Sequence, residues 1–409
     1  SRFERATPGE REYLRAMADV AYAAREAIVN AANGSALNPV TMPRLLFAIS
    51  AHGLGHLGQA APVCNALLAL RPDLKLTVWS ALPVGALRHR IHHPFMHVDQ
   101  SCDIGFTMHD ALHVDVAASW RHYRQRENDW AAHLENACAV VRAAHPDLII
   151  SDVGEMPLAA GQSLGIPTIA MSSLNWADMA RTYFADMPGS TDVLNRLSDI
   201  YDNSTLALRL SPGMPMRGRA EQILPPVGAV SHLTRQAFDQ ALHTTLPYPD
   251  QPRVLIGLGG IETALPLRDW PQQQALNLLV VNQNTLPEAG DALRGIVNAD
   301  TLRARYGWNF CDLLAACDVA ICKPGYGTFV EAALIGIPAL YVKRPDWPEQ
   351  PVLVNWLQAH ARCAELALSD LHHGNFAKAI AQVMAQPPRP PLPRDGATIA
   401  ARAILSLLP

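Results

Sequence analysis

Two apolar patterns alternate along this chain. Short, nearly unbroken apolar runs at 44–50, 74–80, 145–152, 165–172, 205–210, 253–258, 276–281, 319–322 and 339–342 read as buried strands. Between them, apolar residues recur at helical spacing at 59–70, 116–144, 158–164, 175–203, 328–336, 350–361, 371–384 and 398–408. Strand and helix in alternation predict an α/β protein built on parallel sheets. A chain of 409 residues has room for two cores. The mostly polar stretch 232–249 is read as the linker between two α/β domains, at 43–235 and 250–385. Residues 1–42 form an N-terminal extension, with Leu14, Met17, Val20, Ala21, Ala24 and Ile28 on one side of a helix. Pro387–Pro393 is a stiff extended link to a last helix at 394–409.

The chain is organised around 317–338, which reads as strand, glycine turn, helix, glycine stop and strand. Lys323-Pro-Gly-Tyr-Gly327 is loop punctuation, Thr328 can cap the helix, and Gly336 ends it. A glycine-rich turn that feeds a helix start aims free N–H groups and a positive dipole end at one spot, which suits a phosphate. Glu331, one turn in, can accept hydrogen bonds from ribose hydroxyls. Polar groups at 343–356 follow the next strand, where open α/β sheets bind ligands.

An equivalent unit opens the first domain. The strand at 44–50 runs into Ala51-His-Gly-Leu-Gly-His-Leu-Gly58 and then a helix. Gly53-Leu-Gly55 is followed by His56, which argues against a nicotinamide-binding loop. Further on, the strand at 145–152 ends in Asp152, which is either a helix cap or a partner for a histidine. Trp176, Met179, Tyr183 and Phe184 either line a cleft or fill the core.

These motifs resemble the GT-B fold glycosyltransferases. The resemblance covers roughly 43–385. It lies nearest to the transferase-like segment ahead of the kinase in L-arabinokinases, and more distantly to the peptidoglycan N-acetylglucosaminyltransferases. It implies two Rossmann-like domains facing a cleft, with the last helix crossing back onto the first domain. It further implies that Gly325, Gly327, Thr328, Gly259 and Gly260 hold a donor diphosphate, joined by Lys323. Glu331 then holds ribose, Phe310 or Trp308 borders the base, and Glu349, Gln350 and Asn355 face the donor sugar. Many members carry Asp-Gln where this chain has Glu349-Gln350. The acceptor loop is His52, Gly53 and Gly55; His56 is the expected general base, oriented by Asp152, with His52 as its rival. The alternative for His56 is a structural histidine bonded to its own loop.

Composition narrows the partners. With 33 basic and 37 acidic residues the net charge is −4, which gives no general drive toward nucleic acid or an anionic membrane. No apolar run reaches the roughly 20 residues a bilayer span needs. Seven cysteines without a Cys-x-x-Cys pair fit reduced thiols in a cytoplasmic protein. His92, His93, His97, His109 and His113 fit no compact zinc spacing. With no Asp-x-Asp present, the expectation is transfer without an obligatory metal or other cofactor. The expected partners are a nucleotide-sugar donor of the uridine or deoxythymidine type and a small-molecule or glycan acceptor. A second copy of the chain is a further candidate. A nucleotide-sugar 2-epimerase and a silent nucleotide-sugar sensor or scaffold stand as alternative readings.

Overall fold

The computed structural model describes residues 42–216, 221–259, 264–271, 276–282, 286–288, 290–291 and 294–408. The expected helix within 1–41 and the phosphate role of Gly260 lie outside the described residues.

The strands form two all-parallel sheets. The first runs β3-β2-β1-β4-β5-β6-β7, from β1 (Arg44–Ile49), β2 (Lys75–Trp79), β3 (Met96–Val98), β4 (Leu148–Asp152), β5 (Thr168–Ser172), β6 (Leu206–Leu210) and β7 (Glu221–Leu224). The second runs β10-β9-β8-β11-β12-β13, from β8 (Arg253–Gly257), β9 (Asn277–Val280), β10 (Ile296–Asn298), β11 (Val319–Cys322), β12 (Ala339–Tyr341) and β13 (Cys363–Glu365). Central strands such as β1, β4 and β8 are buried almost throughout, which is why they read as unbroken apolar runs. Each sheet reverses its order once, between β1 and β4 and between β8 and β11. Ligands of doubly wound sheets collect at the carboxyl ends of strands beside such a reversal.

The helices that bear on the cleft are α1 (Gly55–Leu70), α2 (Val84–Arg90), α3 (Trp176–Phe184), α4 (Tyr326–Ile335), α5 (Gln350–His360) and α6 (Gly396–Leu405). One apolar cluster joins the two lobes: Leu57, Val63 and Leu67 of α1, Phe329 and Val330 of α4, and Ala401 and Ile404 of α6. The last helix therefore packs on the first lobe.

Three local expectations change. The segment 232–249 is not a free linker. Thr234 caps the helix Arg235–Leu242, whose Phe238 and Leu242 are buried against Leu255 and Leu279 of the second lobe. The crossing itself is 225–233, where Gly228 lies so close to α4 that a methyl there would stand 3.1 Å from Val330. The chain crosses back at 385–395, and Gly396 abuts the Pro225 and Pro226 carbonyls. The expected helix at 116–144 is two helices broken at Asp129, and that at 175–203 is two separated at Gly189.

Candidate active site

The first switch point brings two expected residues together. Asp152 ends β4, and His56 stands in the first turn of α1, just after β1. His56 Nδ1 donates to Asp152 Oδ1 at 2.8 Å, with both side chains buried. Asp152 is thus not a helix cap, since the next helix is capped at Gly154. Its aim is set by a tight turn. Val153 adopts φ +67°, a costly conformation for a β-branched residue. The Tyr201 hydroxyl donates to the Val153 carbonyl, and Ser151 Oγ donates to Gly154 O at 2.6 Å.

With its proton on Nδ1 facing Asp152, neutral His56 keeps the lone pair on Nε2, as a general base requires. Burial opposes protonation of His56, but the Asp152 carboxylate outweighs it, aided by Asp103 and Glu349, and its pKa is raised above the ordinary value. His52 is a different case. Its Nε2 donates to Phe106 O at 2.9 Å, and its ring stacks on Trp347 and meets Trp176 edge-on. Burial, with the nearby His56 and Arg344 charges adding, pushes its pKa down to about 3. Gly105, at φ +61°, lets the adjoining loop close on this ring, because a methyl there would stand 2.9 Å from His52 Cδ2. His52 therefore shapes the wall of the site and is a poor base.

Across the cleft, Gly325 caps α4 and Thr328 is its third residue, so the helix begins earlier than the sequence reading placed it. The starts of α1 and α4 meet: a methyl on Gly327 would lie 3.9 Å from Gly55 O, and one on Gly58 would lie 3.8 Å from Gly327 Cα. The Lys323 Nζ donates to Ala111 O of the first lobe at 3.0 Å, and burial, with Arg344 adding, lowers its pKa to about 7. Gly259 adopts φ +95° beside the Lys323 chain. Glu331 is buried and accepts from Arg90 Nη2 at 2.8 Å and from the Ala229 amide. Burial pushes its carboxyl up, and Arg90 acts against that.

Glu349 accepts from Ser173 Oγ at 2.6 Å and from Trp347 Nε1 at 3.1 Å, again joining the lobes. Gln350 is turned to its own loop, accepting from the Arg344 amide. Asn355 is exposed and lies two residues from each of the buried Leu353 and Leu357, on the opposite face of α5. It does not join the others. Phe310 is half-buried beside Gly257, whereas Trp308 is buried and stacked on Tyr306 in the core. Trp176, Met179 and Phe184 are likewise core; Tyr183 is partly buried and bonds to Asp346 O across the cleft. Sequence reasoning missed Arg90, Ser173 and Trp347. Ser173 follows β5 directly and was open to discovery by the strand-end rule. Trp347 lies within the 343–356 stretch marked by the same rule, but nothing in the sequence singled it out there, and Arg90 carried no local signal. Among the described residues, no group of three or more His, Cys, Asp or Glu is placed to hold a metal, and no helix is long and apolar enough to cross a membrane.

Comparison with known proteins places this geometry. No protein-family model matches the sequence. It is 24% identical over 339 residues to the L-arabinokinase of Arabidopsis thaliana, covering 81% of this chain and 31% of that protein. It is also 24% identical over 225 residues to the UDP-N-acetylglucosamine–N-acetylmuramyl-(pentapeptide) pyrophosphoryl-undecaprenol N-acetylglucosamine transferase of Nocardia farcinica, covering 52% of this chain and 56% of that enzyme. The chain thus spans about a third and about half of these relatives. Among solved structures, the glycotransferase of kitacinnamycin superposes with a TM-score of 0.61 at 16% identity, over 90% of this chain and 100% of that one. The calicheamicin glycosyltransferase CalG4 gives 0.56 at 15%, over 90% and 95%. The glycosyltransferase VinC, solved with dTDP, gives 0.53 at 18%, over 89% and 94%. The fold is that of the GT-B glycosyltransferases, two Rossmann-like lobes about a cleft.

Proposed function

We propose that this chain transfers a sugar from a nucleotide diphosphate sugar, of the uridine or deoxythymidine type, to an acceptor hydroxyl, with inversion at the anomeric carbon. The His56–Asp152 pair carries the reading, because it faces a helix start on the opposite lobe. In this mechanism His56 Nε2 takes the acceptor proton while the acceptor oxygen attacks the anomeric carbon. The bond from that carbon to the diphosphate breaks, and the electron pair leaves with the diphosphate. A single displacement from the opposite face inverts the centre.

The leaving charge meets the first-turn amides of α4, Thr328 and the protonated Lys323 amine. No resident metal is required by this scheme. A carboxylate offers about four acceptor positions. Arg90 and Ala229 occupy two on Glu331, which leaves capacity for ribose hydroxyls. Glu349 stands near His56 and remains the residue of choice for the donor sugar. The shared fold with a glycosyltransferase solved with dTDP supports the donor class.

The test is incubation with uridine and deoxythymidine diphosphate sugars and a broad acceptor panel. Free nucleotide diphosphate plus an inverted glycoside is expected. His56→Ala should lose transfer by roughly 10²-fold or more and keep nucleotide binding; near-normal turnover removes His56 from the mechanism. Epimerised donor without acceptor indicates a 2-epimerase, and binding without turnover indicates a nucleotide-sugar sensor.

A further inference from the structure

We infer that Arg90 is a first-lobe ligand for the donor diphosphate, held on Glu331 until the nucleotide arrives. The inference rests on the transferase reading above and adds to it a phosphate contact from the acceptor-side lobe.

The backbone of Arg90 is fixed. It is the last residue of α2, and its carbonyl accepts from Asn65 Nδ2 of α1 at 2.9 Å. The same Asn65 accepts the His92 amide at 2.9 Å, and Ile91 between them is buried. From this anchored end the guanidinium reaches across the cleft to Glu331, 241 positions away in sequence. Its Nη1 lies 3.1 Å from where a methyl on Gly58 would be, and that methyl would stand 3.8 Å from Gly327 Cα. The guanidinium therefore occupies the wedge where the first turns of α1 and α4 converge. Gly58 and Gly327 put no side chain into that wedge.

A guanidinium carries five N–H donors in a planar fork, and the Nη2 bond to Glu331 uses one of them. Arg90 and Glu331 together are neutral. A diphosphate brings at least two negative charges into the same wedge, and the remaining donors of the fork suit its oxygens. Glu331 would keep one face for the ribose hydroxyls while Arg90 turns toward the phosphates. The anion then bridges residues of both lobes, which favours the closed cleft.

Binding of uridine diphosphate and deoxythymidine diphosphate is compared with that of the parent nucleosides, by calorimetry for the former and saturation-transfer NMR for the latter. Arg90→Gln is expected to weaken the better-bound diphosphate by about tenfold or more, the size of one charge-assisted hydrogen bond, with nucleoside binding unchanged within about twofold. Arg90→Lys should fall between, and it serves if the glutamine variant folds poorly. Glu331→Gln should weaken the nucleoside instead and preserve the phosphate increment. Equal losses for nucleoside and diphosphate in both Arg90 variants mean that Arg90 only props the lobes together, and overturn the inference. Unchanged diphosphate binding in those variants overturns it as well. A wild-type protein that binds neither diphosphate defeats the transferase reading itself, a distinct result.

Discussion

Replacing Asp152 with Asn keeps the shape of the side chain and removes its charge. The carboxylate stands 2.8 Å from His56 Nδ1, and both groups are buried. At that distance, with an effective dielectric of about 20, the gross attraction to a protonated imidazole is about 6 kcal/mol. Desolvation of the two groups offsets much of it. What remains lifts His56 above its ordinary pKa against the effect of burial. In Asp152→Asn the desolvation stays and the attraction goes, so the acid limb of kcat/KM moves to lower pH. The Asn amide can also donate to Nδ1, which puts the imidazole proton on Nε2, the nitrogen that must accept. General-base assistance is worth roughly 10²- to 10⁴-fold, and kcat should fall by about that factor, or about 3 to 5 kcal/mol.

Stability changes with a defined sign. A histidine whose folded pKa is raised contributes fully below its ordinary 6.5, and the contribution is lost as pH rises through the folded-state value. The melting temperature of Asp152→Asn should therefore fall further below wild type at about pH 5.5 than at about pH 8. The assays are a pH–rate profile of nucleotide release and melting curves at the two pH values. Near-wild-type turnover with an unmoved acid limb would refute the general-base argument.

Lys323 gives the opposite pH signature. Its folded pKa of about 7 lies below the ordinary 10.5, so the unfolded chain holds the proton more tightly, and stability should rise with pH between these values. Nucleotide diphosphate affinity should fall over the same rise, because the charged amine is lost; calorimetry across this range checks it, and a flat wild-type profile contradicts it. Gly259→Ala forces a side chain into φ +95° with its methyl 2.8 Å from Lys323 Cε. Its unfolding free energy should drop by about 1 to 3 kcal/mol, and an unchanged denaturant midpoint would count against the strained turn.

Much of this architecture was legible because the core strands are buried on both faces. Continuous apolar runs marked β1, β4, β8 and β11, and their carboxyl ends or the segments just after them carried His56, Asp152, Gly259 and Lys323. The edge strands β10 and β13 were not: β12 is equally short but wholly buried and so left an apolar run, whereas these two are short and β13 is not buried. Helix boundaries moved where a residue fitted two roles. Thr328 is a good cap by composition, but Gly325 takes that place, and the polar stretch 232–249 hides Phe238 and Leu242, which pack as core. Contacts across the cleft were beyond sequence reading. Arg90 with Glu331, and Ser173 with Glu349, pair residues far apart in the chain, and no local spacing encodes such a meeting. Asn355 shows the converse. It matches a motif position but turns to solvent, because Leu353 and Leu357 fix the rotation of its helix.

The two places where the backbone passes between lobes, 225–233 and 385–395, run side by side where Gly396 touches Pro225 and Pro226. One tether would let the lobes swing in any direction. Two adjacent tethers act as a door pin and leave essentially one axis of turning. Contacts carried by opposite lobes, Arg90 with Glu331, Ser173 with Glu349 and Lys323 with Ala111, then part together. Admitting a substrate and dismantling the surroundings of His56 are, in such a molecule, the same movement.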